Sequence, residues 1–249
     1  MEEQLCIIGR YLSPYVRKVL VFLGEKGIPY QIDPTVPFFG EERFSKLNSL
    51  RRIPVLMHEQ VTLSDSAVIC HYLEERYPEP ALYPRALEER ARARAVEEYA
   101  DTRLGEVLIG RLFNQVVVRP VVWGEKTDQA AVDRTLAQEI PELLNSLEAQ
   151  LPADGFFFPS FSIADIALGC FFRSAAFAGY KVDASRWPVT AAFVDRILLR
   201  ESFVKLMPIE ERLLATPVAK HRAVLAELGA PLTRHSHGIP VPQKGKPLP

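Results

Sequence analysis

Residues 13–19 read Ser13-Pro14-Tyr15-Val16-Arg17-Lys18-Val19, and they follow the four-residue apolar run Leu5-Cys6-Ile7-Ile8 after a loop that opens at Gly9. An apolar run that short is consistent with a buried strand. Val16, Val19, Leu20 and Leu23 then recur at i, i+3, i+4 and i+7, one face of a helix that Gly27 closes. Outward from this pair the alternation continues. Pro29 to Asp33 reads as a second strand, and Pro34 to Gly40, with two prolines and a glycine, as a loop. Glu41 to Leu47 makes a short helix. Val55-Leu56-Met57-His58 and Gln60-Val61-Thr62-Leu63 form a tight hairpin. Ser64 or Asp65 caps the next helix, whose apolar face carries Val68, Ile69, Tyr72 and Leu73. The order β-α-β-α-β-β-α gives an α/β domain, a small mixed sheet with helices packed on it.

Pro78, Pro80 and Pro84 then exclude both a helix and a central strand, so the spacing predicts a linker. The remainder has helical periodicity. One long helix runs from Leu87 to about Val118, burying Leu104, Val107, Leu108 and Leu112, and a second from about Gln129 to Leu151 is kinked at Pro141. Ser162-Ile163-Ala164-Asp165 is a capping-box start. Two more helices cover Pro188 to Leu199 and Glu201 to Leu228. The expected division is an α/β domain at 1–80, a linker at 81–84, an all-α domain at 85–228 and a Pro-rich tail at 229–249 that packs no core of its own.

The composition narrows the function. In 249 residues, 30 Lys+Arg balance 31 Asp+Glu for a formal charge of -1, which argues against nucleic acid as the main partner. No apolar run reaches a membrane span, and the acidic start Met1-Glu2-Glu3 lacks the basic head of a signal peptide. Cys6, Cys70 and Cys170 form no CxxC pair or disulfide framework. A cytoplasmic protein with no membrane partner is the expectation. The three thiols lie on apolar stripes and read as buried and inert. His58 and His71 lack metal-ligand neighbours, and His235 with His237 makes only a poor two-ligand site in the tail. Arg90, Arg92 and Arg94 read as a solvated or dimer-facing surface.

Three places carry chemistry. Ser13 opens the first helix, where backbone N–H groups converge and the helix dipole favours an anion. No GxSxG elbow accompanies it, so it is not read as a hydrolase nucleophile. A hydrogen bond to a charged partner contributes about 1.5–3 kcal/mol, enough to lower the pKa of a bound thiol by one to two units. By spacing alone, Ser13 and Pro14 are also a plain N-cap and a first-turn proline. The second place is Arg51-Arg52-Ile53-Pro54-Val55, where a proline directly before a buried strand suggests a special bond, cis or trans by spacing alone, and a cis bond would turn the Ile53 backbone outward. The third is Ser64-Asp65-Ser66 at a helix mouth, able to hold an α-amino-acid head group or simply to cap the helix.

As a set these segments resemble the cytosolic glutathione transferase superfamily. The matching stretches are 13–19, Glu25-Lys26-Gly27-Ile28-Pro29-Tyr30, Leu47 to Leu56, Leu63 to Ile69 and Phe161 to Ala167, so the resemblance covers roughly 4–215. It implies a thioredoxin-like N-terminal domain, an all-α C-terminal domain, a homodimer, and glutathione as co-substrate with no metal or resident cofactor. Ser13 would sit beside the thiol, with Tyr11 an alternative donor. Pro54 would be the cis-proline, the Ile53 backbone would pair with the cysteinyl unit, and Arg52 would meet the glycine carboxylate. Asp65 and Ser66 would hold the γ-glutamyl end. A small hydrophobic electrophile would enter an apolar cleft walled from Tyr99, Arg103, Phe113, Trp123, Phe172 and Phe177, residues equally suited to the core.

Two departures bear on this. The family's Asn-Pro-x-Gly-Lys is Asn48-Ser49-Leu50-Arg51-Arg52 here, so the loop is expected to run differently without its glycine. Pro37-Phe38-Phe39-Gly40 is unusually apolar and would line the cleft or face a partner subunit. The chain is also similar, at Leu63 to Pro84 and Arg200 to Arg212, to stringent starvation protein A, a non-catalytic interaction protein of the same fold. A glutathione-dependent isomerase or dehalogenase is a further alternative.

Overall fold

The computed structural model describes residues 5–36 and 42–237; the Phe38-Phe39 loop and the tail beyond His237 lie outside them. Strands β1 (Cys6–Ile8), β2 (Gln31–Asp33), β3 (Val55–His58) and β4 (Val61–Ser64) form one sheet in the order β2-β1-β3-β4. β1 is parallel to β2 and antiparallel to β3, and β3 pairs antiparallel with β4. This is the thioredoxin-like α/β arrangement expected from the sequence.

Helix α1 (Pro14–Lys26) begins and ends as its sequence requires. Ser13 stands at the N-cap in extended backbone, Pro14 occupies the first turn, and Gly27 leaves the helix at φ 65°. Ten of its thirteen residues are buried, including Arg17 and Lys18. The short α2 (Glu42–Leu47) contributes Phe44 to a cluster with Ile8 and Val55. In α3 (Ser66–Arg76) the buried stripe is Ser66, Ile69, Cys70 and Leu73. Val68, expected on that stripe, is 47% exposed. Once Asp65 fixes the helix start, Ile69, Cys70 and Leu73 share the inward face, and Val68 turns away.

Beyond a linker that contains a cis Glu79–Pro80 bond, α4 (Leu87–Tyr99) runs without a break through Ala100–Val118 into α5 (Arg119–Trp123). The helix therefore passes the expected end near Val118 and stops at Gly124, φ 64°. Ala100–Val118 is wound with wider, i→i+5 bonding, and the Arg119 N–H bonds the Asn114 carbonyl. A similar stretch, Thr135–Glu139, separates α6 (Gln129–Arg134) from α7 (Ile140–Glu148), so the helix expected from Gln129 changes pitch before Pro141. Pro120 and Pro141 each follow a wide stretch by two residues. A ring that lacks an N–H and crowds the carbonyl four residues back is relieved by a wider turn.

Helix α8 (Ile163–Phe177) is the buried centre of the helical unit and starts at the expected capping box. One Asp165 oxygen accepts from the Ser162 N–H at 2.8 Å and from its hydroxyl at 3.0 Å, and the other accepts from the Phe157 N–H at 2.8 Å. Burial still raises this carboxyl to about 6. Gly169 lets α9 (Pro188–Leu198) approach, since a Cβ there would lie 2.6 Å from Ile197 Cγ2. No described helix is long and apolar enough to cross a membrane.

The helices that follow α10 (Glu201–Val204), namely α11 (Met207–Leu214) and α12 (His221–Glu227), cluster with the sheet and α1–α3 rather than with α4–α10. The chain divides into Pro78–Val204 and a second unit that joins Met1–Tyr77 to Lys205–Pro249, which differs from the expected all-α block at 85–228. A buried ion pair joins the two segments of this unit. Arg17 of α1 and Glu210 of α11 are both 1% exposed or less and form an ion pair. Residues after Gly229 also pack. Leu232 bridges Ile32 in parallel, with Ile32 N–H donating to the Pro231 carbonyl (2.7 Å) and Thr233 N–H to the Ile32 carbonyl (3.1 Å). Asp33, 1% exposed, then accepts from Ser236 Oγ at 2.6 Å and from the His237 N–H at 2.7 Å. A single-sided removal tests the first of these ties. Glu210→Ala strands a buried guanidinium and should cost about 3–5 kcal/mol by urea denaturation, whereas the paired Arg17→Met/Glu210→Leu variant should lose far less.

Candidate functional site

The sheet register brings the candidate residues to one end. Asp33, Ile8, Val55 and Ser64 form a continuous cross-strand row. Immediately beyond that row lie Gly9 and the Ser13 loop, Pro54 and Asp65. Neighbouring strands are about 4.8 Å apart, so these groups face one small volume within the first unit. The first turns of α1 and α3 both open there, each offering unsatisfied N–H groups and a positive dipole end.

Ser13 is partly exposed, and its Oγ accepts from the Val16 N–H at 3.4 Å, a long cap bond that ties it only loosely. The Ser13 N–H donates to the Arg10 carbonyl at 3.0 Å and closes the turn. Tyr11, two residues earlier, is 1% exposed, and burial pushes its hydroxyl well above the ordinary tyrosine range. Its side chain is buried, whereas Ser13 is partly exposed. Gly9 has no room for a side chain, because a Cβ would lie 2.5 Å from Val16 Cγ2 and 3.5 Å from Ile53 Cβ. That close approach packs the Ser13 loop against Ile53, whose bond to the buried Pro54 is cis.

The loop ahead of Pro54 keeps a glycine-like conformation without the glycine. Arg51 stands at φ 52°. Asn48 braces the turn, accepting from the Leu50 N–H at 3.0 Å and donating from Nδ2 to the Arg52 carbonyl at 2.8 Å. Arg52 is exposed beside half-buried Ile53. Asp65 also has positive φ, 80°, and its Oδ1 accepts from the Ala67 and Val68 N–H groups at 2.9 and 3.3 Å. Asp65 is exposed while Ser66 behind it is 2% exposed. A non-glycine residue held at that φ costs about 1–3 kcal/mol and is characteristic of ligand-holding positions.

The remaining candidates separate by burial. Phe113 and Phe172 are core residues of the helical unit at 7% and 4% exposure, and Phe113 packs on Phe177 with centroids 6.4 Å apart. Tyr99, Arg103, Trp123 and Phe177 are partly exposed. Cys70 and Cys170 are fully buried, and burial, with Asp33 adding to it, raises the Cys6 thiol to about 11, so Cys6 is not a thiolate at neutral pH. Among the described residues no three His, Cys, Asp or Glu side chains converge as a metal site. One feature was not legible in sequence: Arg10, in the Ser13 loop, is buried against His221 of α12. Nothing near His221 in the chain pointed to it, since the two are 211 residues apart.

The family profile described as "Glutathione S-transferase, N-terminal domain" matches residues 7–81, and that described as "Glutathione S-transferase, C-terminal domain" matches 129–196. Together they span more than half of the chain. The chain belongs to the cytosolic glutathione transferase superfamily. Among its relatives in that superfamily, the Escherichia coli protein described as "Uncharacterized GST-like protein YibF" is 29% identical over 209 residues, spanning 81% of this chain and 98% of its own. The crystal structure of a glutathione S-transferase from Rhodospirillum rubrum superposes with a TM-score of 0.75 at 25% identity, covering 82% of this chain and 91% of that one. A stringent starvation protein A homolog of Haemophilus ducreyi is 39% identical over 70 residues, only 28% of this chain and 33% of its own.

Two stability effects follow from this geometry. Arg51→Gly relieves a left-handed backbone that costs a side-chain-bearing residue about 1–2 kcal/mol, partly offset by the freer unfolded chain. A gain of about 1 kcal/mol in urea denaturation is expected. His221 is buried beside Arg10, and burial with that charge lowers its pKa from 6.5 to about 4. The unfolded state then takes up a proton first as pH falls, so stability held above pH 6.5 declines toward pH 4, by at most about 3 kcal/mol. Urea midpoints at pH 7 and 4.5 should differ less for His221→Gln than for the native chain.

Proposed function

We propose that the chain is a glutathione transferase that positions glutathione across this sheet end and transfers its thiolate to a small hydrophobic electrophile. The observation that carries the reading is the shared row Ile8–Val55–Ser64, at whose end lie a loosely tied serine hydroxyl, Ile53 bonded to a cis-proline and an Asp65-capped helix mouth. Glutathione offers a thiol at its centre and a carboxylate at each end, and the row offers a donor for each. Ser13 Oγ and the α1 terminus receive the thiolate. The Ile53 backbone pairs with the cysteinyl amide, Arg52 meets the glycine carboxylate, and Asp65 with Ser66 holds the γ-glutamyl group.

In that pose the chemistry is nucleophilic substitution or addition by glutathione sulfur. The thiol proton leaves to solvent, the sulfur lone pair forms the new C–S bond, and the electrophile's leaving group or π-electrons accept the displaced pair. The protein's part is to orient the sulfur and to stabilise its charge before attack. Glutathione acts as co-substrate, and a homodimer is the proposed assembly. The alternative, a non-catalytic interaction protein, draws on the partial likeness to stringent starvation protein A homologs. A glutathione-dependent isomerase or dehalogenase would use the same thiolate.

Calorimetric titration with glutathione, together with thiolate absorbance followed against pH, tests the proposal. Both the native chain and Ser13→Ala should bind. The native chain should lower the bound-thiol pKa by one to two units from about 8.5, and Ser13→Ala should lose most of that shift. Absence of binding by the native chain would overturn the transferase reading in favour of a protein partner.

A further inference from the structure

The glutathione reading leaves Arg10 unused, although it lies in the same loop as Ser13. Its side chain is buried, at 9% exposure for the residue, and Nη2 donates to Nδ1 of His221. On the other side of that ring, Nε2 lies 2.7 Å from the Thr216 carbonyl. A carbonyl can only accept, so Nε2 carries the ring proton and Nδ1 presents its lone pair to the guanidinium. The imidazole is thus neutral. Burial brings the guanidinium down to about 10 and the imidazole to about 4, which leaves the first charged and the second uncharged at neutral pH.

Two other buried charges of this unit have partners of their own. Arg17 on α1 is paired with Glu210 on α11. Asp33 at the end of β2 is met by Arg222 at 4.0 Å and by His237 at 3.0 Å. Among the described residues no carboxylate pairs with Arg10, and its Nε has no hydrogen-bond partner. A buried cation normally takes a carboxylate; here it is given a neutral acceptor.

We infer that Arg10, held in place by neutral His221, is an electrostatic positioning residue that keeps a thiol bound at Ser13 in its thiolate form. This rests on the glutathione reading above. The turn closed by Ser13 N–H and the Arg10 carbonyl limits the guanidinium to within roughly 10–15 Å of the Ser13 hydroxyl. At that range, and with an effective dielectric of about 20, one unbalanced unit charge moves a thiol pKa by about one unit, a tenfold change in the ratio of thiolate to thiol. The buried guanidinium faces His221 and is not among the groups assigned to hold glutathione, so its effect falls on the ionisation of the sulfur rather than on the grip.

The test follows the thiolate absorbance of bound glutathione against pH in the native chain, Arg10→Gln, His221→Glu and His221→Gln, with calorimetric Kd and thermal unfolding for each. Arg10→Gln should raise the bound-thiol pKa by about one unit with Kd changed less than threefold. His221→Glu keeps Arg10 but supplies the missing counter-charge, and should raise it by a similar amount. His221→Gln retains a neutral acceptor and should leave it near the native value. Folded Arg10→Gln or His221→Glu protein that binds glutathione with the native thiol pKa overturns the inference. If Arg10→Gln does not fold, His221→Glu against His221→Gln decides the matter. Failure of the native chain to bind glutathione is a different result and removes the transferase reading itself.

Discussion

Helix α1 takes cations out of water, and much of the first unit is arranged to meet them. Arg17 and Lys26 lie at or below 9% exposure on a helix that buries most of its circumference. Removing such a charge from water costs several kcal/mol unless a partner restores the lost interactions. Lys26 is met locally, by Glu74 at 2.8 Å and by the Tyr77 carbonyl at 2.7 Å, which ties α1 to the end of α3. Arg17 is met by Glu210, a residue from the far end of the chain. That ion pair joins α11 to α1, in the unit that holds the sheet.

The same logic operates with the opposite sign at the sheet edge. Asp33 ends β2, the outermost strand, and is buried. The chain beyond Gly229 supplies its donors and also pairs with the open β2 edge through Pro231 and Thr233. An unpaired edge strand is a template for wrong association, and a short stretch from the same chain covers it. A Pro-rich composition says that a segment cannot build a core, but not that it cannot pair with an edge someone else has built.

The site inherits its geometry from this framework. Ser13, Pro54 and Asp65 come from three separate loops, yet register alone places them at one sheet end, since Ile8, Val55 and Ser64 share a row. Local signals reported each piece well. The Ser-Pro start and terminal Gly27 marked α1, alternating runs marked the hairpin, and Ser162 with Asp165 marked α8, because caps, turns and short periodicities are decided within a few residues. At Arg51 the left-handed backbone and the Asn48 hydrogen bonds that brace the turn are seen only in three dimensions.

The sequence by itself determined the strands and main helices, their order, the α/β-then-helical architecture and the superfamily. All of these rest on interactions between residues close along the chain or on motifs that are read as strings. Tertiary structure decided the rest. It set where the units divide, what becomes of the tail, which side of α3 faces inward, why Tyr11 is buried while Ser13 is not, and that Arg10 meets a neutral histidine 211 positions away. Those outcomes depend on which buried charge finds which partner, and long-range pairing of that kind leaves no periodicity in a single sequence.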